Sequence, residues 1–348
     1  MHFVILKGLE GFGDRLQCLL QAIRYCKATQ RCLVVDWRDS DWTHDQSIPF
    51  EYYFELVGIN SLSFTYFSEL LSRQPSYSVF PEAWALRLSE SGFESFIRDP
   101  DYTLPDNGAC IDAIATGKAP DFDADVVVYP GIGPRAFTCS DIHHIRPQDC
   151  VLQSIQKHVD QFQFEVNQYD VVHLRGGTKF WAGGALKADS PDRDKHEQWA
   201  TPDQYLSEIY NVLCLLNKGK IALPLYILTD TPCMAQWWID LFGDATLLPN
   251  SAHGLMQESG LHKIDKKSLV NLPSSGISKL SKVDLNIEAI RDFVIMNNCR
   301  TLVGDGLSLF SLMAYGLKSN NQRLSELPSS TSHSNVFKAY PVRSIWNL

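Results

Sequence analysis

Arg175 stands between a short apolar run, Val171 to Leu174, and a segment of two glycines, a threonine and Lys179. The run predicts a buried strand whose C-terminal end opens into a glycine loop with fixed positive charge. Ligands of open α/β sheets bind at that end of the strands. Because a guanidinium is planar, permanently charged and donates two parallel hydrogen bonds, Arg175 beside exposed backbone N–H groups suits a diphosphate. The alternative is a surface arginine after an edge strand, and this stretch alone leaves both interpretations open.

A second glycine-rich turn follows the first apolar run of the chain, residues 3–6. The turn contains Gly11, Gly13 and Asp14, and the apolar side chains of residues 15–28 recur at helical spacing. The pattern predicts a strand, a glycine turn and a helix whose first N–H groups could bind phosphate. The turn is neither a Walker loop nor a GxGxxG dinucleotide motif. A tight turn without a ligand is the alternative.

Two more predicted strand ends carry polar side chains. The apolar run 224–230 ends in Thr229 and an acid, and the short run 300–303 leads into a glycine–hydroxyl loop that contains Asp305 and Ser308. Backbone N–H groups and the Ser308 hydroxyl could again surround a phosphate. The amphipathic pattern of residues 284–297 predicts a long helix before that loop.

Asp39 and Asp41 form an acidic D-x-D motif at the end of the second predicted strand, residues 32–37. Such a motif can hold Mn²⁺ or Mg²⁺ against a nucleotide diphosphate. Similar acidic triplets occur at 121–125 and 192–194, so the motif is weakly specific. It nevertheless supports an alternative function, a metal-dependent transferase of another nucleotide sugar.

The composition limits the function classes. A net charge of −9 argues against a nucleic-acid or anionic-membrane surface as the main partner. No apolar run is long enough for a transmembrane helix, and the first residues lack the features of a signal peptide. The nine cysteines are scattered without a C-x-x-C pair, which is typical of a reducing compartment. We therefore expect a cytoplasmic protein.

The 348 residues suit two α/β domains of ordinary size. The element pattern places one at 1–160 and the other at 161–330, with 331–348 as a C-terminal tail. A ligand between the two would be approached by glycine turns from both sides. Residues 180–200, rich in glycine and charge, form the most lid-like segment.

Several of these motifs together resemble those of the nodulation fucosyltransferases and their α1,6-fucosyltransferase relatives. The resemblance rests on Gly11–Leu16, Thr29–Arg38, Val172–Arg175, Leu225–Asp230, Glu288–Phe293 and Leu302–Ser311. It implies a GT-B fold, with two Rossmann-like domains facing each other across a cleft. It also implies an inverting enzyme that uses GDP-fucose and neither metal nor cofactor.

The resemblance also implies roles for individual residues. Arg175 would bind the β-phosphate, His173 and Asp292 the guanosine part, and Ser308 with Gly11 and Gly13 the diphosphate. The predicted donor site is completed by Asp14, Thr229 and Asp305. The expected acceptor is an oligosaccharide or a glycolipid.

One position departs from the family motif, because Gly176 stands where relatives have a second arginine. Lys179 is the candidate that would replace the missing charge, so Arg175 and Lys179 are the predicted catalytic cations. A carboxylate of the lid would accept the proton of the acceptor hydroxyl. The lost arginine also leaves open a sugar-nucleotide- or glycan-binding protein without turnover.

Overall fold

The computed structural model of the chain divides into two compact units, Met1–Cys150 and Val151–Leu348. The structure describes residues 2–39, 41–43, 47–73, 76–85, 88, 114–115, 121–131, 140–175, 181–182, 185–186, 202–217, 223–243, 245–249, 281–305, 308–319 and 336–339. Among these, no helix has the length and apolar character needed to cross a membrane.

The first unit alternates short strands with helices. Its strands are β1 (Phe3–Lys7), β2 (Cys32–Asp36), β3 (Phe54–Leu56), β4 (Ser61–Leu62), β5 (Val79–Phe80), β6 (Val126–Pro130) and β7 (Ile145–Pro147). Its helices are α1 (Phe12–Thr29), α2 (Phe64–Arg73) and the start of α3 (Asp149–Phe162), which continues into the second unit. Short 3₁₀ turns lie at Phe50–Tyr52, Glu82–Trp84 and Ile142–His144.

The sheet of the first unit is parallel and has the order β4-β2-β1-β6-β5. All residues of β1, β2 and β6 are buried, as expected for strands that are covered on both faces. β1 lies in the centre, with β2 on one side and β6 on the other. The strand order therefore reverses at β1, which makes its carboxyl end a topological switch point.

The second unit repeats this architecture. Its strands are β8 (Asp170–Leu174), β9 (Trp181–Ala182), β10 (Ala185–Leu186), β11 (Leu225–Thr229), β12 (Thr246–Leu247), β13 (Thr301–Asp305) and β14 (Val336–Ala339). Its helices, besides the rest of α3, are α4 (Pro202–Leu216), α5 (Pro232–Phe242), α6 (Lys282–Asn298) and α7 (Leu309–Ser319). β9 and β10 form a separate antiparallel pair.

The main sheet of the second unit has the order β12-β11-β8-β13-β14. β8 is its central strand and pairs in parallel with β11 and β13, so that this unit too has its switch point at the central strand. The interpretation of Arg175 as a residue after an edge strand is therefore wrong. One face of the sheet packs against α4 and α5 through Leu206, Ile209 and Trp238.

The C-terminal segment differs from its prediction as a tail. Residues 336–339 form β14, which pairs antiparallel with β13 from Leu302↔Ala339 to Asp305↔Val336. The sequence analysis missed this strand because it follows a Ser/Pro-rich stretch and is too short to show a period of its own.

Candidate functional site

The carboxyl edge of the second sheet, where β8, β11 and β13 end, collects most of the predicted donor residues. His173 lies beside Leu228 of β11 and Gly304 of β13 in the register of the sheet. Because the three strands are parallel, the segments that follow them emerge at one edge. The structure therefore brings the ends of three separate sequence motifs together at the switch point.

Arg175 is the first residue after β8, and its side chain is 26% exposed. One guanidinium nitrogen, Nη1, lies 2.9 Å from Oδ2 of Asp230, whose side chain is 6% exposed. The Arg175 backbone N–H donates to the hydroxyl of Tyr205 on α4 at 3.0 Å. Among the described residues, the arginine is thus anchored at its backbone by Tyr205 and at Nη1 by Asp230.

The turn after β11 orients the carboxylate of Asp230. The Thr229 hydroxyl accepts from the Thr231 N–H at 3.0 Å and donates to the Thr231 carbonyl at 3.3 Å. The Thr231 hydroxyl donates to Oδ1 of Asp230 at 3.0 Å. Thr229 therefore shapes this turn, and its direct contact with a donor stays a prediction.

His173 is 6% exposed and is held from the third strand end. Its Nδ1 lies 2.5 Å from the hydroxyl of Ser311 on α7, and its ring packs against Phe310 with centroids 5.5 Å apart. This approach favours a glycine at position 304, because a Cβ there would lie 3.1 Å from the Ser311 hydroxyl.

Ser308 and Asp305 flank the loop between β13 and α7. Ser308 is buried and directly precedes α7, and its carbonyl accepts from the N–H of Leu312. Asp305 is the last residue of β13. The glycine between them lies outside the described residues, as do Lys179, Gly176 and nearly all of the predicted lid.

Asp292 lies in the middle of α6 and is 7% exposed. Its Oδ1 accepts from Nε and Nη2 of Arg291 at 2.9 and 2.7 Å. Arg291 also donates to the carbonyl of Pro249 at 3.1 Å. The structure thus links Asp292 to the segment after β12, and its contact with a guanosine stays a prediction.

The glycine turn of the first unit surrounds an arginine of its own. Gly11 is the N-cap of α1 in extended conformation, without a side-chain cap, and Gly13 and Asp14 lie in the first turn of the helix. The guanidinium of Arg15 donates to both carboxylate oxygens of Asp39, each at 2.7 Å.

This ion pair bears on the alternative of a metal site. Asp39 is 3% exposed, and besides Arg15 it accepts from the N–H of Asp41 at 3.1 Å. Its carboxylate is therefore the counter-ion of a buried guanidinium, a role that competes with metal ligation. The D-x-D interpretation missed this role because the partner lies 24 residues earlier in the chain.

A second buried ion cluster lies at the same edge of the first sheet. Lys7 and Asp36, the last residues of β1 and β2, form an ion pair and are each 1% exposed. Nε of Arg38 donates to Asp36 at 2.9 Å. Burial raises the pKa of Asp36, but Lys7 and Arg38 outweigh it and hold that pKa below its usual value.

Sequence reasoning missed three residues that orient the predicted site: Tyr205, Asp230 and Ser311. Asp230 had a usable signal, since it is the acid at the end of a predicted strand. Ser311 had a weaker signal, because it lies one helical turn after Ser308. Tyr205 had none beyond its place on an apolar helix face.

Comparison with known proteins adds family and fold to this geometry. The family model of NodZ, nodulation protein Z, matches residues 1–213. The chain is 35% identical over 94 residues to nodulation protein Z of Azorhizobium caulinodans, an alignment that spans 26% of this chain and 29% of that relative.

Solved structures are similar over nearly the whole chain. A NodZ α-1,6-fucosyltransferase soaked with GDP-fucose has a TM-score of 0.61 at 17% identity, over 91% of this chain and 92% of its own. Fucosyltransferase NodZ from Bradyrhizobium has a TM-score of 0.62 at 16% identity, over 98% and 99%. POFUT1 in complex with GDP has a TM-score of 0.52 at 13% identity, over 91% and 94%. The predicted fold class, α/β with two Rossmann-like domains of the GT-B type, is confirmed.

Proposed function

The chain belongs to the nodulation protein Z (NodZ) family, and we propose that it transfers fucose from GDP-fucose to a hydroxyl of a glycan. The observation that carries this proposal is Arg175. It follows the central strand at the switch point of the second sheet, pairs with Asp230 and has a side chain that is 26% exposed. Structurally similar NodZ proteins were crystallised with GDP or soaked with GDP-fucose, which supports this donor.

The proposed mechanism is an inverting displacement at the anomeric carbon. As the bond between C1 and the phosphate oxygen breaks, negative charge grows on the β-phosphate and positive charge on the sugar ring. Arg175 stabilises that phosphate, and preorganised charge of this kind supplies several kcal/mol of transition-state stabilisation. The Asp230 carboxylate and the Tyr205 hydroxyl hold Arg175 in place, so that little reorganisation accompanies bond cleavage.

Other predicted residues complete the proposed donor site. His173, oriented by Ser311, and Asp292 would contact the guanosine part, and Gly11, Gly13, Asp14, Asp305 and Ser308 would contact the diphosphate or support it. We propose Lys179 as the second cation and a lid carboxylate as the base. The proposed acceptor is an oligosaccharide or a glycolipid, the reaction uses no metal or other cofactor, and the proposed compartment is the cytoplasm.

Donor binding is tested by thermal unfolding with GDP, GDP-fucose, GDP-mannose and UDP-sugars, each with and without EDTA. A ligand at about 100 times its Kd stabilises a fold by about 2.7 kcal/mol, which gives a clear shift in Tm. We expect the largest shift with GDP-fucose, unchanged by EDTA. A shift that needs UDP-sugars and a metal would contradict the proposal and return attention to Asp39 and Asp41.

The role of Arg175 is tested by Arg175→Ala. We expect kcat/KM for GDP-fucose to fall by about 10²–10³, the usual loss for one preorganised donor at a developing charge. Arg300→Ala is a matched control, because Arg300 forms a 2.7 Å ion pair with Asp170 and is 34% exposed, but lies before β13 at the opposite edge of the sheet. Equal losses of activity in the two variants would sink the assignment of Arg175.

A further inference from the structure

Arg15 holds the glycine turn of the first unit by contacts on both sides of its guanidinium. Its side chain is wholly buried, and Nη1 and Nη2 donate to Asp39 at 2.7 Å. Its Nε donates to the carbonyl of Glu10 at 2.9 Å. One side chain in the first turn of α1 therefore ties the turn before it to the segment after β2.

The backbone of the turn, residues 8–13, fits closely around this side chain. Glu10 has a left-handed φ of 58°, a conformation that non-glycine residues rarely adopt without support. A Cβ at Gly8 would lie 2.3 Å from Nη1 of Arg15 and 2.3 Å from Cδ1 of Trp37. The bond from Arg15 to the Glu10 carbonyl supplies the support that this conformation needs.

Aromatic rings fix the same helix end from a second direction. The Arg15 guanidinium lies 4.9 Å from the ring centroid of Trp42. Phe12, the first residue of α1, stacks on Phe54 at 5.9 Å and on Trp42 at 6.1 Å. The start of α1 is thus held rigidly, although its N-cap has no side-chain hydrogen bond.

We propose that Arg15 and Asp39 are positioning residues for the transfer reaction. They fix residues 8–13 in the conformation that presents the first backbone N–H groups of α1 to the donor. This inference rests on the proposed function. It assigns Asp39 a task in an enzyme that uses no metal, and it makes donor affinity depend on a pair that does not itself touch the donor.

The test replaces the pair by neutral side chains in Arg15→Met/Asp39→Asn, because a buried ion pair can often be exchanged for apolar residues without loss of the fold. The matched control is Arg31→Met/Asp121→Asn. Arg31 is also fully buried, with a 2.6 Å ion pair to Asp121 and bonds to two carbonyls, but it lies where β1 and β2 begin. Arg15→Lys is an additional, single variant, which keeps the positive charge but loses the two-pronged guanidinium.

Two readouts are measured on protein that circular dichroism shows to be folded. The first is the Kd of GDP by calorimetry, and the second is hydrogen exchange of peptides that cover residues 8–13. We expect the double variant to bind GDP at least tenfold more weakly than the wild type and its turn to exchange hydrogen faster. Arg15→Lys should give values between those of the double variant and the wild type. The control should match the wild type in both GDP affinity and hydrogen exchange.

The outcomes separate this inference from the proposed function. Wild-type protein that binds neither GDP nor GDP-fucose would overturn the proposed function and this inference with it. Wild-type protein that binds GDP, together with a folded double variant of equal affinity or unchanged turn exchange, would overturn the positioning role alone. If the double variant does not fold, Arg15→Lys takes its place: GDP affinity and turn exchange equal to those of the wild type would overturn the positioning role.

Discussion

Arg15 and Arg175 occupy similar places in two similar sheets and differ in their burial and in their ion pairs with aspartate. Each lies at the carboxyl edge beside a central strand, and each pairs with an aspartate that follows the neighbouring strand. Arg15 is fully buried and uses both ends of its fork on Asp39, whereas Arg175 is 26% exposed and has one close contact with Asp230.

The difference shows how one arrangement serves two purposes. Both terminal nitrogens of Arg15 already donate to the Asp39 carboxylate, which leaves few donors for a phosphate. Arg15 therefore stabilises the turn. The Arg175 side chain is 26% exposed and its ion pair with Asp230 uses one nitrogen, so Arg175 is the better candidate for contacting the leaving phosphate. Exposure separates the two arginines here, and motif position does not.

The largest expected effect is a loss of stability when the Arg15–Asp39 ion pair is broken. Asp39→Ala removes the partner of a wholly buried guanidinium, which typically costs about 3–5 kcal/mol of unfolding free energy. Urea denaturation measures it. Asp121→Ala is the control: Arg31 is equally buried, but it keeps its bonds to the carbonyls of Phe3 and Phe122, and water can replace the 47% exposed Asp121 carboxylate. We therefore expect it to cost less. Equal losses in the two variants would break the comparison.

Gly304→Ala tests how tightly the second edge is packed. The added Cβ would meet the Ser311 side chain at 3.1–3.3 Å and Cβ of His173 at 3.5 Å. We expect a loss of about 1–3 kcal/mol from overpacking, with weaker GDP binding as His173 shifts. Ser311→Ala, which removes the hydroxyl without adding volume, should weaken GDP binding with less loss of stability. GDP titration of both variants checks this, and unchanged affinity in both would remove His173 from the donor site.

Asp230→Asn should have little effect on stability and a clear effect on the donor. Because Arg175 is partly solvated, we expect the unfolding free energy to change by less than about 1 kcal/mol. GDP affinity should fall several-fold, since the guanidinium loses the carboxylate that orients it. Calorimetry measures this change, and tighter binding by the variant would show instead that Asp230 competes with the phosphate.

The two units are also expected to differ in acid. Burial lowers the pKa of His158 on α3 in the second unit to about 4 from its usual 6.5. The unfolded chain then binds the extra proton first, so this group lowers stability as the pH falls from 6.5 to 4. Asp36 in the first unit has a pKa below its usual 3.8, so its contribution is kept down to that pH and lost only below it.

His158→Gln should therefore flatten the pH dependence of the urea midpoint between pH 6.5 and 4, with the limb below it unchanged. A slope equal to that of the wild type would show that His158 does not titrate in this range.

Much of the architecture could be predicted from the sequence. The family and the GT-B fold class, which the resemblance of several motifs implied, are confirmed. The buried parallel strands could be predicted because continuous apolar runs followed by glycine turns are typical of them. The β1 and β8 segments and the helices α1 and α6 lie where the patterns predict them. The glycine turn of residues 8–13 was correctly recognised as a βα turn, but the arginine at its centre was not.

The rest could not be read from local patterns. The Arg15–Asp39 pair, the Arg175–Asp230 pair and the His173–Ser311 bond each join residues far apart in the chain, up to 138 positions. Only the packed sheet decides which side chains meet. The aromatic residues between 37 and 54 also show no periodic sequence pattern that would predict their packing around Arg15. The donor contacts predicted for Asp14, Asp292 and Asp305 remain predictions.

β14 makes the C-terminal residues part of the second sheet. Since β14 covers the outer side of β13, a chain shortened before residue 336 would leave the N–H and C=O groups of β13 open as a template for another molecule. Self-association would then follow from a cut more than 150 residues after Arg175. For expression, this favours affinity tags at the N-terminal end and argues against trimming the last residues to obtain a smaller domain.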